Sequence, residues 1–205
     1  MLLMTTAGHK TCMRWRHPNH GRLVVPRCWD RMAETSSEGI VWGMDNDCFN
    51  GFNRRSWLRM MLSLVGLPGC VFVSAPDVVA DHDATLGLWH EWQPQIFMTG
   101  FPAAFVIQDG ATIHNVPWET TEAIFIGGTT EYKLGDAAAE IATEANRREL
   151  WVHMGRVNSY RRIRYAQSIG CDSVDGTMWA KFRDTYMANG LTAVSSGTQL
   201  RLEAT

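Results

Sequence analysis

Six polar side chains able to do chemistry each follow a short apolar run. Asp45 and Asn46 come after one run, Asp77 after the next, Gln108 and Asp109 after another, and Asp175 after the last. Gly127 and Gly128 follow a further run, and residues 154–158, from Met154 to Asn158, follow the one before Asp175. Carboxylates in such a set can attack an electrophilic carbon or exchange protons with a substrate, and an amide can read a hydrogen-bonding edge. Taken singly, each Asp, Asn or Gly is also an ordinary turn or helix-cap former. Their shared position argues for a common rim, because in parallel β/α folds the residues just beyond the strand ends line the active site.

The elements that must position them alternate in kind. Strands are predicted at 23–25, 39–42, 71–74, 104–107, 123–126, 150–153 and 172–174, as short apolar runs bounded by turn residues. Helices are predicted at 56–65, 83–92, 136–149 and 159–169. The first carries Trp57, Met60, Met61 and Leu64 on one stripe, and Asp136 reads as an N-cap. Alternating strands and helices argue an α/β fold with a parallel sheet and right-handed crossovers. Seven strands approach a TIM-like (β/α)8 barrel, and 205 residues is short for eight full units, so a compact, trimmed or open barrel is expected. The chain is read as a single domain over residues 1–205, with a basic segment at 1–38 and the motif-bearing core at 39–177.

Composition and charge narrow the class. At 45% hydrophobic and 20% charged residues, the chain is neither a disordered tail nor a disulfide-stapled mini-protein. Five cysteines without a C-x-x-C pair argue against a disulfide framework. No run approaches the roughly 18 apolar residues of a membrane span, and the apolar start at 1–4 is too short for a secretory signal. A reduced, cytoplasmic protein is expected. The net charge of −2 hides an uneven distribution. Residues 1–31 carry six Lys or Arg against Asp30 alone, whereas residues 60–146 carry eleven acids and one base, Lys133. A second basic run holds Arg147, Arg148, Arg156, Arg161, Arg162 and Arg164. Such runs either grip a polyanion or are solvated helix faces. Trp15, set among Arg14, Arg16 and His17, is either a nucleic-acid contact or a packed strand residue.

The order of these segments resembles the tRNA-guanine transglycosylase superfamily, including its small DNA-acting branch. Met44-Asp45-Asn46-Asp47-Cys48-Phe49 is similar to the family's T-D-S-G-G-F/Y turn, and Ser74-Ala75-Pro76-Asp77 stands where the family has S-D-D-C. Val106-Ile107-Gln108-Asp109-Gly110 resembles V-Q-G-G, and Ile126-Gly127-Gly128-Thr129 with Leu134-Gly135 resembles G-G-L-x-V-G-E. Val152-His153-Met154-Gly155-Arg156-Val157 looks like Y-L-M-G-V-G, and Gly170-Cys171-Asp172-Ser173-Val174-Asp175 looks like G-V-D-L-F-D. Each motif is weak alone. Their order, over about two-thirds of the chain, is specific.

The resemblance implies cleavage of an N-glycosidic bond. By it, Asp175 is the nucleophile and Asp45 the general acid/base. Asp77 and Gln108 read the base edge, the backbone at Gly127 and Gly128 approaches the base, and Phe49 and Met154 sandwich it. An extruded base needs such an apolar slot to replace lost stacking. The expected partner is DNA, with phosphate contacts from Arg14, Arg16, Arg156, Asn158, Arg161 and Arg162.

The departures also inform. No C-x-C-x-x-C…H zinc subdomain follows Asp175. Asp47 and Cys48 replace two turn glycines, and Asp77 alone stands for the paired acids of S-D-D-C. Cys12-x4-His17-x2-His20-x7-Cys28 fits no common zinc module, and Gly127-Gly128 lacks the Lys of a phosphate-binding loop. Neither a metal nor a cofactor is expected. Three functions remain open at this stage. One is a DNA glycosylase removing a modified base, such as glucosylated hydroxymethylcytosine in phage DNA, as antiphage defence. The others are a base-exchange transglycosylase inserting a 7-deazaguanine, and an inactive nucleic-acid-binding module. The compact chain, with few means of holding a second base and excluding water, favours the glycosylase.

Overall fold

The computed structural model describes residues 1–181 and 184–202. Eight parallel strands form a closed barrel in sequence order. They are β1 (Leu2–Thr5), β2 (His20–Val24), β3 (Trp42–Met44), β4 (Cys70–Ser74), β5 (Ala103–Ile107), β6 (Ala123–Ile126), β7 (Trp151–Met154) and β8 (Ser173–Asp175). Closure runs through β1 and β8, where Leu3 pairs with Val174 and Met4 with Asp175. The open alternative is thereby corrected, and the strand the sequence reading omitted is β1. A four-residue run is a weak signal read alone, and it is held here by pairing on both edges.

Helices connect most strands: α1 (His9–Arg14), α2 (Met32–Ser37), α3 (Arg54–Ser63), α4 (His82–Phe97), α5 (Thr130–Lys133), α6 (Asp136–Arg147), α7 (Tyr160–Ser168), α8 (Thr177–Lys181) and α9 (Asp184–Leu202). Between β5 and β6 a single 3-10 turn, Trp118–Thr120, stands in for a helix, which is one way a short chain closes the barrel. The helix starts follow local capping. Asn53, Asp81 and Ser159 accept the amides of Ser56, Ala84 and Arg162. The expected cap Asp136 is instead the first helical residue, with Gly135 at the cap position. None of the described helices is long and apolar enough to cross a membrane.

Strand alternation builds two cores. Met4, Leu23, Phe72, Ala104, Val106 and Phe125 point inward and fill the barrel. Their neighbours Leu3, Val24, Met44, Phe105, Ile126 and Met154 point outward and pack under the helices with Trp57, Trp89 and Trp179. Gly43 faces inward, where an added Cβ would lie 2.5 Å from the Phe72 ring. The glycine makes room for that ring across the barrel floor.

Candidate active site

The inward-facing sequence of each strand continues past its end into a cavity at the carboxyl face. Asp45, one residue beyond β3, keeps the inward phase of Gly43. Gln108 keeps that of Val106, and Gly127 that of Phe125. Asp175 ends β8 on the phase of Ser173. All four line one cavity of about 500 Å³, including its open mouth, together with Asn46, Phe49, Ser74, Asp77, Gly128, Gly155 and Arg156.

One wall is a fixed polar array. Asn46 donates from Nδ2 to Asp77 Oδ1 at 2.7 Å and to the Ala75 carbonyl at 2.6 Å. Gln108 donates from Nε2 to Asp77 Oδ2 at 2.6 Å, and its own Oε1 accepts the Ala80 amide at 2.8 Å. Asp77 therefore has a donor on each oxygen. Burial pushes its carboxyl up, opposed by the bonds from Asn46, Cys48 and Gln108. Gly127 is required here for packing, since a Cβ would sit 2.7 Å from Gln108 Nε2. Asp109 lies outside the cavity lining and instead accepts the amide of Thr129 at 2.7 Å.

The same cavity holds two other carboxyls, Asp45 and Asp175. Asp45 is pushed up to about 7, first by burial and next by the charge of Asp175, while the Asp47 amide on Oδ1 pulls the other way. Asp175 accepts at Oδ1 from the Arg156 amide at 3.1 Å, and His153 Nε2 lies 3.2 Å from the same oxygen. Two carboxyls thus sit in one cavity, and it is the surroundings of Asp45 that raise it.

Arg156 adopts left-handed backbone geometry at φ 59°. Its guanidinium lies 4.7 Å from the centre of the Phe49 ring and donates to the Gly128 carbonyl. Phe49 itself is 65% exposed, so its ring forms part of the mouth. Beneath this loop, buried Lys133 donates to the Gly155 carbonyl at 2.8 Å. Burial, followed by the charge of Arg156, lowers its ammonium to about 8.

Several expected site residues stand elsewhere. Met154 does not flank the cavity. It shares the outward phase of Val152 and is buried among the helices, and the next inward position is Gly155. Arg14 and Arg16 are not among the residues that line the cavity. They fall at the end of α1 and before β2, and helices in this fold run antiparallel to the strands, so they emerge at the opposite face. Arg14 pairs with Asp184 there, and Arg16 with Glu38 at 2.8 Å. Trp15 ends α1 rather than lying in a strand and carries Arg14 over its ring at 5.7 Å. Asn158 is spent on structure, accepting the Met178 amide at 3.0 Å. Arg161 and Arg162 open α7 on the site's own face, and Arg162 donates to the Arg156 carbonyl at 3.4 Å.

The sequence reading overlooked His153, Lys133 and the basic residues Arg27, Arg54 and Arg55, which also belong to loops or first helical turns at this face. Among the described residues no group of three His, Cys, Asp or Glu is placed to hold a metal ion.

No protein-family model matches the chain, and no curated protein does. Solved structures do. The native KDPGal structure aligns with a TM-score of 0.55 at 8% identity, covering 98% of this chain and 96% of that one. A cube-shaped, highly porous protein cage designed by fusing symmetric oligomeric domains aligns at 0.53 and 8%, covering 100% and 74%. A point mutant of flavocytochrome b2 aligns at 0.51 and 12%, covering 97% and 61%. Likeness at such identities speaks to architecture alone, and with the closed sheet it defines the chain as a (β/α)8 TIM barrel. What the barrel does must be argued from its site.

Proposed function

We propose that the protein is a DNA N-glycosylase that removes a modified base from DNA and leaves an abasic site. The observation that carries this reading is the pairing of Asp45 and Asp175 in one cavity, with Asp45 held up to about 7. An acid that keeps its proton near neutrality, beside a second carboxylate, is the equipment of glycosidic cleavage. Asp175 attacks the anomeric carbon through Oδ2, forming a carbon–oxygen bond as the bond to the base nitrogen breaks. The departing base keeps the electron pair and takes the proton of Asp45. Asp45, now ionised, draws a proton from water, which opens the sugar–Asp175 ester and restores both groups.

The rest of the cavity suits a flipped base. Asp77, held by donors on both oxygens, offers its remaining lone pairs to a donor-bearing edge such as a cytosine-type amino group. Phe49 supplies a stacking face at the mouth. Arg156, with Arg161, Arg162 and Arg55 on the same face, supplies phosphate contacts. By the family resemblance, the modified base is glucosylated hydroxymethylcytosine and the role is antiphage defence, since excising a base absent from host DNA harms only the invader.

The test uses purified protein with unmodified, hydroxymethylcytosine-containing and glucosyl-hydroxymethylcytosine-containing DNA and no added base. Released bases are identified by mass spectrometry and abasic sites by alkaline cleavage. Release with matching abasic sites from glucosylated DNA alone, lost in Asp175→Asn, is expected. If no DNA loses a base but labelled 7-deazaguanine becomes incorporated, the protein is an exchange enzyme instead. Silence in both assays overturns the reading.

A further inference from the structure

Beneath the cavity, a chain of buried polar groups runs through the barrel floor and ends on Asp175. Trp151 donates from Nε1 to Ser173 Oγ at 2.9 Å. Ser173 Oγ lies 2.8 Å from His153 Nδ1, and His153 Nε2 lies 3.2 Å from Asp175 Oδ1. His153 and Ser173 are fully buried. The imidazole packs against the rings of Phe72 and Phe125, at 4.9 and 4.6 Å between centroids. Packing in an apolar barrel floor does not by itself call for a histidine.

The donor and acceptor count fixes the direction of this chain. The indole N–H can only donate, so it occupies a lone pair of Ser173 Oγ. The hydroxyl proton then needs an acceptor, and the one within reach is His153 Nδ1. Were Nδ1 to carry a proton, that hydroxyl would be buried without an acceptor, at a cost of about 1–3 kcal/mol. The network therefore assigns the Nε2–H tautomer, in which the imidazole donates to Asp175 Oδ1. The Arg156 amide donates to that same oxygen at 3.1 Å. With two donors on Oδ1, the carboxylate is held in one orientation and Oδ2 is left to the cavity.

We propose that His153 is a positioning residue for Asp175, set in its donating tautomer by Ser173 and Trp151, so that a single carboxylate oxygen faces the substrate. The proposal rests on the reading of Asp175 as the nucleophile. It gives His153 no contact with the base or sugar. Its contribution is to hold Oδ2 on the attack line and to stabilise the carboxylate when the sugar ester is opened.

Two measurements test it. In 15N-labelled protein, the ring nitrogens of His153, assigned by the signal missing in His153→Gln, are expected to show a protonated Nε2 and a bare Nδ1. Ser173→Ala, a small deletion that leaves the ring packing intact, is expected to mix the tautomers. On the glucosyl-hydroxymethylcytosine duplex, His153→Phe is expected to lower kcat about 100-fold, the scale of losing one charge-stabilising donor, with KM unchanged. His153→Gln, whose amide can donate from near the Nε2 position, recovers part of that loss. A protonated Nδ1 in wild type, or wild-type kcat in His153→Phe, overturns the proposal. If His153→Phe is fully active while Asp175→Asn is dead, the relay fails and the reading of Asp175 stands. If Asp175→Asn keeps releasing base, the reading fails and takes the proposal with it.

Discussion

Asp175 acts on Asp45 within the cavity: its charge is second only to burial in raising the Asp45 carboxyl to about 7. The acid role proposed for Asp45 therefore has a working window. Base release is expected to fall as pH rises through about 7 and Asp45 ionises, and Asp45→Asn should abolish this limb along with most of the rate. Single-turnover rates across pH 5–9 check this. A flat profile in wild type would remove Asp45 from the acid role.

The same shift has a consequence for stability. Asp45 binds its proton more tightly in the folded protein than in the unfolded chain, whose carboxyl titrates near about 4. Between there and about pH 7 the folded state holds the extra proton, so this group's contribution to stability declines as pH rises through that window. Asp45→Asn cannot ionise. Its Tm relative to wild type should accordingly be higher at pH 8 than at pH 5, as read by thermal melts at both values.

Placement of the basic residues separates two groups. Arg156→Ala should weaken DNA binding and reduce the slope of log affinity against log salt by about 1, the signature of one lost phosphate contact. Arg14→Ala and Arg16→Ala lie at the opposite end of the barrel and should leave both quantities unchanged. Titrations at several salt concentrations decide the matter.

Gly127→Ala offers a probe of the reading wall. The new Cβ would lie 2.7 Å from Gln108 Nε2 and 3.0 Å from the Ile107 carbonyl, and only the side chain can yield. Displacing it breaks the bond to Asp77. The expected result is a rise in KM of about 10- to 100-fold, the scale of an unpaired buried polar group, with DNA salt dependence unaltered.

Gly43→Ala is a contrasting case that touches no proposed substrate contact. A methyl group 2.5 Å from the Phe72 ring overpacks the barrel floor, at a cost of about 1–3 kcal/mol. At about 2–4 °C per kcal/mol for a protein of this size, Tm should drop by several degrees. A melting curve matching wild type would show that Phe72 can turn aside freely.

Much of the architecture was legible in the sequence because strands β4 to β8 are apolar runs with polar residues at one end. Asp45, Asp77, Gln108, Gly127 and Asp175 followed from that pattern and do meet in one cavity. What escaped depended on phase and on direction. Met154 is one residue out of phase with the cavity, and resemblance gave it a role that strand alternation denies. Arg14 and Arg16 are close in sequence to β1 and β2, yet helix α1 carries them to the far face before the chain returns. His153 sits inside an apolar strand, where a polar residue reads as an exception until Ser173 and Asp175 are seen beside it. β1 was too short to read without the two neighbours that hold it.

Barrel closure couples the assembly of the site to the seating of β8. Asp45, Asp77 and Gln108 are all in place by β5, but Asp175 arrives on β8, which is seated between β7 and β1. The residues of the polar wall thus all precede in the chain the group proposed to attack. Chemistry awaits the docking of strands whose pairing residues, Met4 and Asp175, lie at opposite extremes of the barrel's sequence, the slow, long-range kind of contact. A molecule whose barrel has not closed therefore lacks a seated Asp175, the group proposed to attack.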